Sequence, residues 1–241
     1  MSVVGPLTGG VRNEVLEVRL GGDRLVARRS RRGAAALAWE LDLLAFLGRH
    51  GFTVPGAVRA PDGRRHVDGV VVQRWLDGDP PGVHDWPAVA AELRRLHTLT
   101  RGRPQRPGFR SCRDLPHTER GGDVDLTVMP RVAVEVCRGA WRALPDVPQA
   151  VVHGDPAPGD IRVTATGIGL LDWDEARVDC VDLDLADLPV PSTPAGPAGS
   201  GTSRGGRLGS GERLAAGAGL RAPAPRRADG PHTVTGETSQ G

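Results

Sequence analysis

Apolar and polar residues alternate between Val15 and Leu20, with Leu16, Val18 and Leu20 on one side and Val15, Glu17 and Arg19 on the other. A period of two marks a half-buried strand. Gly21-Gly22-Asp23 gives a turn signal and Leu25-Val26-Ala27-Arg28 resumes an extended run, so the pattern predicts a hairpin. From 34 to 50 the period lengthens. Leu37, Leu41, Leu44 and Leu47 share one helical face and Gly51 stands just past its end. Val54-Pro55-Gly56 predicts a loop, and Val67 to Trp75, centred on Val70-Val71-Val72, predicts a buried strand. Asp77-Gly78-Asp79-Pro80-Pro81 then breaks the chain and is read as a boundary between two lobes.

Beyond that break a second helix is expected over 86–98, with Val89, Leu93 and Leu96 in register. Residues 100–124 are rich in Arg, Gly and Pro and predict irregular structure. A third helix is expected over 130–144, carrying Val132, Val136 and Leu144 on its apolar face. Short strands follow at Val151-Val152, Ile161 to Thr164 and Ile168 to Leu171. The order is a strand-rich small lobe (1–78), a helical lobe (79–189) and then a change of character. Residues 190–241 hold 12 Gly and 6 Pro in 52 positions, with no aromatic residue and five large aliphatics. Such a segment buries too little apolar surface to offset chain entropy, so a disordered tail is expected.

Composition narrows the function. The 241 residues carry 31 Lys+Arg against 29 Asp+Glu, which leaves no basic field that would by itself imply nucleic acid. No apolar run approaches the ~20 residues of a membrane helix, and Met1 to Gly10 lacks the pattern of a signal peptide. Cys112, Cys137 and Cys180 are an odd number at wide spacing, which indicates neither a disulfide framework nor a zinc site. A cytoplasmic protein without a membrane or specific nucleic-acid partner is expected. The chain contains no Lys and no Tyr, and Asn13 is its one Asn. Any mechanism that needs a lysine must use an arginine.

The densest polar cluster lies at 153–187. His153-Gly154-Asp155 follows an apolar strand, Asp160 comes five residues later, and Asp172 and Asp174 close the next strand. Asp179, Asp182, Asp184 and Asp187 follow. Carboxylates on either side of a hairpin repel one another unless a cation relieves them, and hard oxygen ligands suit magnesium. One further acid off the metal can take a hydroxyl proton, which together makes the equipment of phosphoryl transfer. A calcium loop starting at Asp172 fits less well, because its sixth position needs glycine and Arg177 stands there.

The segments HGDPAPGD at 153–160 and LLDWDEARVD at 170–179 resemble the aminoglycoside phosphotransferase and choline kinase-like family. The resemblance extends back through LRRLH at 93–97 and QRWLDG at 73–78 to LTGGVRNEVLEV at 7–18, and so covers about 7–189. It implies an α+β, protein-kinase-like fold of two lobes, with magnesium and ATP or GTP as cofactors. The implied reaction moves a γ-phosphoryl group to a hydroxyl of a small molecule, an aminoglycoside being one candidate. By the same resemblance Asp155 is the catalytic base, and Asp160 and Asp172 bind metal. Gly9 and Gly10 cover the phosphates, Arg28 and Glu40 form the phosphate-holding ion pair, and the backbone from Arg74 to Leu76 meets the base. His97 is read as a packed structural residue. Two positions depart from the pattern: Asp160 stands for the family's Asn, and Arg28 for its lysine. Arginine is a planar fork rather than a point charge, so the geometry differs.

The family continues past the Asp184-Leu185-Ala186 segment with helices that complete the large lobe, and these are not legible here. The helical lobe is therefore read as incomplete and a shifted reading frame is inferred. Gly209 to Arg221 can be encoded so that skipping one base yields Glu-Ala-Ala-Asn-Gly-Trp-Arg-Leu-Glu-Pro-Gly-Tyr-Ala, a helical family-like string. The alternative to an enzyme is a nucleotide-binding remnant that keeps its base but not its turnover.

Overall fold

Strand β1 (Ser2–Pro6) opens the chain and pairs antiparallel with β2 (Glu14–Leu20), which pairs with β3 (Asp23–Arg29) from Glu14↔Arg29 to Leu20↔Asp23. The computed structural model describes residues 1–7, 13–186 and 188–189, all within one compact unit, Met1–Leu208. Helix α1 (Ala34–Arg49) leads to β4 (Ala57–Val58) and β5 (Val70–Arg74), completing a sheet of order β1-β2-β3-β5-β4. The predicted hairpin, helix and central strand stand as expected. The edge strand β1 was not anticipated, since its residues are largely exposed and show no alternation.

The period-two face of the hairpin buries Val18, Leu25 and Ala27 with Leu16, Val58 and Val72 packed against them. Helix α1 joins two cores. Leu37 and Leu41 meet Val71 of the sheet, while Trp39, Leu43, Leu44 and Leu47 enter the larger core below. The C-terminus of α1 closes with Phe52 N–H donating to Leu47 O at 3.1 Å, across Gly51 in the left-handed region.

Below the sheet, α2 (Trp86–Leu99) contributes Trp86, Val89, Leu93 and Leu96 to the large core, in the register its sequence predicts. A two-strand turn follows, β6 (Arg120–Gly121) with β7 (Val124–Asp125), and then α3 (Arg131–Arg142). The register of α3 differs from expectation. Val134 is buried, while Val132 and Val136 are 78% and 67% exposed, so the helix turns the opposite valine inward. Next come β8 (Gln149–Val152), β9 (Ile161–Thr164), β10 (Gly167–Leu170), β11 (Arg177–Cys180) and the short helix α4 (Asp182–Ala186). β9 and β10 form the expected hairpin, and β8 pairs with β11, a strand that its charged residues had concealed.

The two parts are tied by backbone. Asp79 N–H donates to Val163 O at 3.2 Å and Val163 N–H to Asp79 O at 2.7 Å. Gly78 makes that approach possible, because its φ is +126° and a Cβ there would lie 2.5 Å from Val163 O. No helix among the described residues is long and apolar enough to cross a membrane. The expected tail at 190–241 lies outside the described residues.

Candidate active site

The segment after β8 is held from three sides. The His153 ring is fully buried against Trp173, with ring centroids 4.9 Å apart, and its Nε2 lies 2.6 Å from Leu171 O. A carbonyl can only accept, so Nε2 carries the proton and donates. Gly154 has φ +92°, and a Cβ there would meet Glu175 O at 2.7 Å, so glycine alone fits. Asp184 of α4, fully buried, accepts from both loop amides, His153 N at 2.8 Å and Gly154 N at 2.9 Å. His97 of α2 completes the clamp, with Nε2 2.8 Å from Asp184 Oδ2. Asp155 is the next residue after these fixed amides, and its own carbonyl accepts from Ala157 N at 2.8 Å.

Asp160 and Asp172 flank the β9–β10 hairpin. Its last pair is Ile161↔Leu170, and one step beyond it Leu171 N–H donates to Asp160 O at 2.7 Å. Register thus brings the two acids to one end, as the sequence predicts. Asp172 has φ +44°, in the left-handed region that a residue with a Cβ seldom adopts and that often marks a functional position. Burial pushes the Asp160 carboxyl up to about 6; the Asp172 and Asp155 carboxylates push the same way, while His153 and Arg162 oppose them. The three acids therefore share one electrostatic field. Among the described residues, the group of three whose ligand atoms all lie within 4.8 Å of one another is a different one, Cys112, Asp179 and Cys180.

The raised Asp160 group has a consequence for stability in the absence of metal. Its ordinary value is 3.8 and its folded value about 6, so the folded chain holds this proton longer than the unfolded chain does. Stability is then lost as pH rises between those two values, by about 1–2 kcal/mol once solvent screening is allowed for. Asp160→Asn should raise the melting temperature in chelator by about 3–6 °C at pH 7.5 and leave it unchanged near pH 4. Scanning calorimetry at the two pH values checks this.

Behind the hairpin lies a buried ion network. Arg28, 6% exposed, bonds Glu40 of α1 and also reaches Asp174 Oδ1 at 3.3 Å. The implied Arg28–Glu40 pair is therefore present, and a second carboxylate shares the guanidinium. Arg32 bonds Asp174 Oδ2 at 2.8 Å and Asp123 through two bonds of 2.7 Å. The other oxygen of Glu40 accepts from Arg106 Nη2 at 2.7 Å. Burial pushes the Glu40 carboxyl up, and the two guanidiniums pull against it.

Sequence reasoning missed Arg106. It sits in the Pro- and Arg-rich stretch that has no period, yet it is fully buried. Its Nε donates to Ala36 O at 3.2 Å, and Nη1 lies 3.0, 3.0 and 3.1 Å from Trp173 O, Asp174 O and Ala176 O. One side chain thus ties α1 to the turn that carries Asp172 and Asp174. Arg106→Leu leaves Glu40 with one partner and four buried carbonyls with none from this side chain. It should destabilise the chain by about 3–5 kcal/mol in urea unfolding, and Arg106→Lys should recover little, since an ammonium cannot reproduce the fork.

The remaining predicted positions stand as follows. Arg74 is exposed, and its N–H donates to Gly56 O at 2.9 Å; Leu76 is half-buried on the connection to Gly78. Gly9 and Gly10 lie outside the described residues, as does Asp187. Asp179 is buried and Asp182 is exposed.

Compared with known families, the chain matches the model described as "Phosphotransferase enzyme family" over residues 3–227. The chain belongs to this family. The match covers nearly all of the length and runs through much of the segment that composition sets aside as a tail, so the resemblance is longer than the motifs alone indicated. No curated protein matches the chain. Among solved structures, an amicoumacin kinase in complex with AMP-PNP, Ca2+ and Ami aligns with a TM-score of 0.61 at 19% identity, over 78% of this chain and 63% of that one. A microcompartment-associated aminopropanol kinase aligns at 0.56 and 21%, over 77% and 67%. A spectinomycin phosphotransferase in complex with ADP and spectinomycin aligns at 0.52 and 14%, over 75% and 66%. The phosphotransferase-family chain thus has a kinase-like fold and spans about two thirds of the length of these relatives.

Proposed function

We propose that the chain is an ATP- or GTP-dependent phosphotransferase that moves a γ-phosphoryl group to a hydroxyl of a small molecule. The observation that carries this reading is that strand register brings Asp160 and Asp172 to one end of the β9–β10 hairpin, with the Asp155 carboxylate near enough to act on Asp160, in a member of this family. Asp155, placed by the clamped amides of His153 and Gly154, orients the acceptor hydroxyl and takes its proton. Asp160 and Asp172 fit a divalent cation, magnesium being the expected one, because a carboxyl pushed up by burial and then by its carboxylate neighbour is relieved by positive charge. Such a cation would neutralise charge on the phosphates.

The ion pair of Arg28 and Glu40 supports the α/β-phosphates in this reading, with Arg28 passing from Asp174 to phosphate as the nucleotide binds. The backbone from Arg74 to Leu76 meets the base in this reading, and because the Arg74 N–H is engaged by Gly56 O, the N–H offered there is that of Leu76. Gly9 and Gly10 cover the phosphates. The nucleotide lobe is proposed as 1–78 and the catalytic lobe as 79–189, acting in the cytoplasm. The acceptor class follows the relatives: amicoumacin, spectinomycin or an amino alcohol.

Calorimetric titration with ATP and magnesium, followed by a phosphate-transfer assay over a panel of hydroxylated antibiotics and amino alcohols, tests the proposal. Nucleotide binding with transfer to at least one acceptor supports it. Binding with no transfer across the panel supports the remnant instead.

A further inference from the structure

Cys112 and Cys180 are 68 positions apart in sequence, yet their Sγ atoms lie 2.6 Å apart in the interior. The wide spacing that argued against a disulfide is cancelled by the fold, which sets the segment after Arg106 beside β11. One carboxylate holds both cysteine backbones. Asp179 Oδ1 accepts from Cys112 N at 2.8 Å and from Cys180 N at 2.9 Å, and Oδ2 accepts from Arg177 Nε at 2.8 Å. The two main-chain segments are therefore fixed relative to one another by groups other than the sulfurs, and the thiols face each other across that frame.

Two outcomes fit a pair of thiols beside a carboxylate: a metal or a disulfide. Asp179 Oδ1 already takes two N–H donors and Oδ2 takes one. A metal would find two sulfur ligands and at most one oxygen, short of the four protein ligands that a structural zinc site takes. We infer that Cys112 and Cys180 are a disulfide-forming pair that crosslinks the 106–118 segment to β11, with Cys137 remaining a free thiol.

The reaction is thiol–disulfide exchange with a small-molecule disulfide such as glutathione disulfide. Burial and the Asp179 carboxylate push the Cys112 thiol up, so Cys112 is the sulfur that gives up its proton last. The Cys180 thiolate attacks the small disulfide and releases one glutathione thiolate. Cys112 then loses its proton and attacks the Cys180 sulfur of the mixed disulfide, releasing the second. Two thiols are oxidised and one disulfide is reduced to two thiols. Both sulfurs are buried in the folded chain, so the exchange proceeds while the segment docks.

The full chain refolded with glutathione disulfide, then denatured and alkylated with iodoacetamide, gives the test by mass spectrometry. The expected product carries one alkyl group, on Cys137, joins the peptides containing Cys112 and Cys180, and is lighter than the reduced chain by about 2 Da before alkylation. Its melting temperature should exceed that of the reduced chain by about 10 °C, as a long crosslinked loop implies. That difference should vanish in Cys112→Ala/Cys180→Ala. Should the double variant fail to fold, Cys137→Ala keeps the test readable, with no alkylated cysteine expected after oxidising refolding. Three alkylated cysteines in the wild type, a crosslink involving Cys137, or retained zinc in native mass spectra would overturn the inference.

Discussion

Asp155→Ala is expected to lower kcat for phosphoryl transfer by about a thousandfold and to leave the dissociation constant for the nucleotide within about twofold. A general base contributes roughly two to four orders of magnitude, because it acts on a proton in flight and not on the bound nucleotide. In the proposed site Asp155 is not assigned to the cation, so its removal should leave metal and nucleotide bound. The fold should also survive. His153 and Gly154 are held by Asp184, Leu171 and the close approach of Glu175, none of which depends on the Asp155 side chain. Asp155→Asn should be nearly as slow, since an amide cannot accept the hydroxyl proton at neutral pH. Single-turnover kinetics with a saturating acceptor, paired with calorimetric titration of ATP, separates the two effects. An unchanged kcat in Asp155→Ala would remove the base from this residue and with it the proposed mechanism.

Legibility of the fold followed the range of the interactions that make each element. The leucines of α1 and α2 repeat at helical spacing because each helix lays a stripe on a nearby core, and a stripe is a local pattern. The acidic hairpin was legible for the same reason, since the pairing of β9 with β10 spans few residues and its register places Asp160 and Asp172. Helix α3 was misjudged in register. Val132 and Val136 sit four apart, as an apolar face should, but Val134 is the valine that finds a partner. Only a neighbour can choose between two apolar stripes on one helix.

Strand β11 was hidden because Arg177 and Asp179 satisfy one another, which makes a buried strand look polar. Arg106 was hidden more completely. Its partners are Glu40 and the carbonyls of Ala36, Trp173, Asp174 and Ala176, distant in sequence on both sides, and nothing within the Arg- and Pro-rich stretch distinguishes it from Arg101 or Arg103. The same applies to Cys112 and Cys180 and to the pairing of His97 with Asp184. Resemblance pointed to the acids that are assigned here to the proposed reaction. The residues that hold those acids in place came from the geometry.

Asp184→Ala should cost about 3–5 kcal/mol of stability, as much as the loss of Arg106. The carboxylate is fully buried and takes three donors, the amides of His153 and Gly154 and the ring of His97. Deleting it takes the shared acceptor from those donors, where each unsatisfied buried group costs roughly 1–3 kcal/mol and the losses overlap because the three share one acceptor. Asp184→Asn should cost less, about 2 kcal/mol. The amide keeps one oxygen for the loop and presents an NH2 to either His97 or a backbone N–H.

His97→Ala should also destabilise, but its effect should not add to that of Asp184→Ala, since the two side chains bond each other. Urea unfolding of the two single variants and the double variant gives that coupling. Hydrogen exchange at residues 153 and 154 gives the local readout, with both amides losing protection in Asp184→Ala at temperatures where the fold persists. The kinetic effect should follow the same path. A loop released from Asp184 no longer fixes Asp155, so the folded fraction of Asp184→Ala should transfer phosphate more slowly while binding the nucleotide as before. Wild-type protection at both amides in Asp184→Ala would mean that the loop is held from the Leu171 and Glu175 side alone, and that α4 has no part in placing the proposed base.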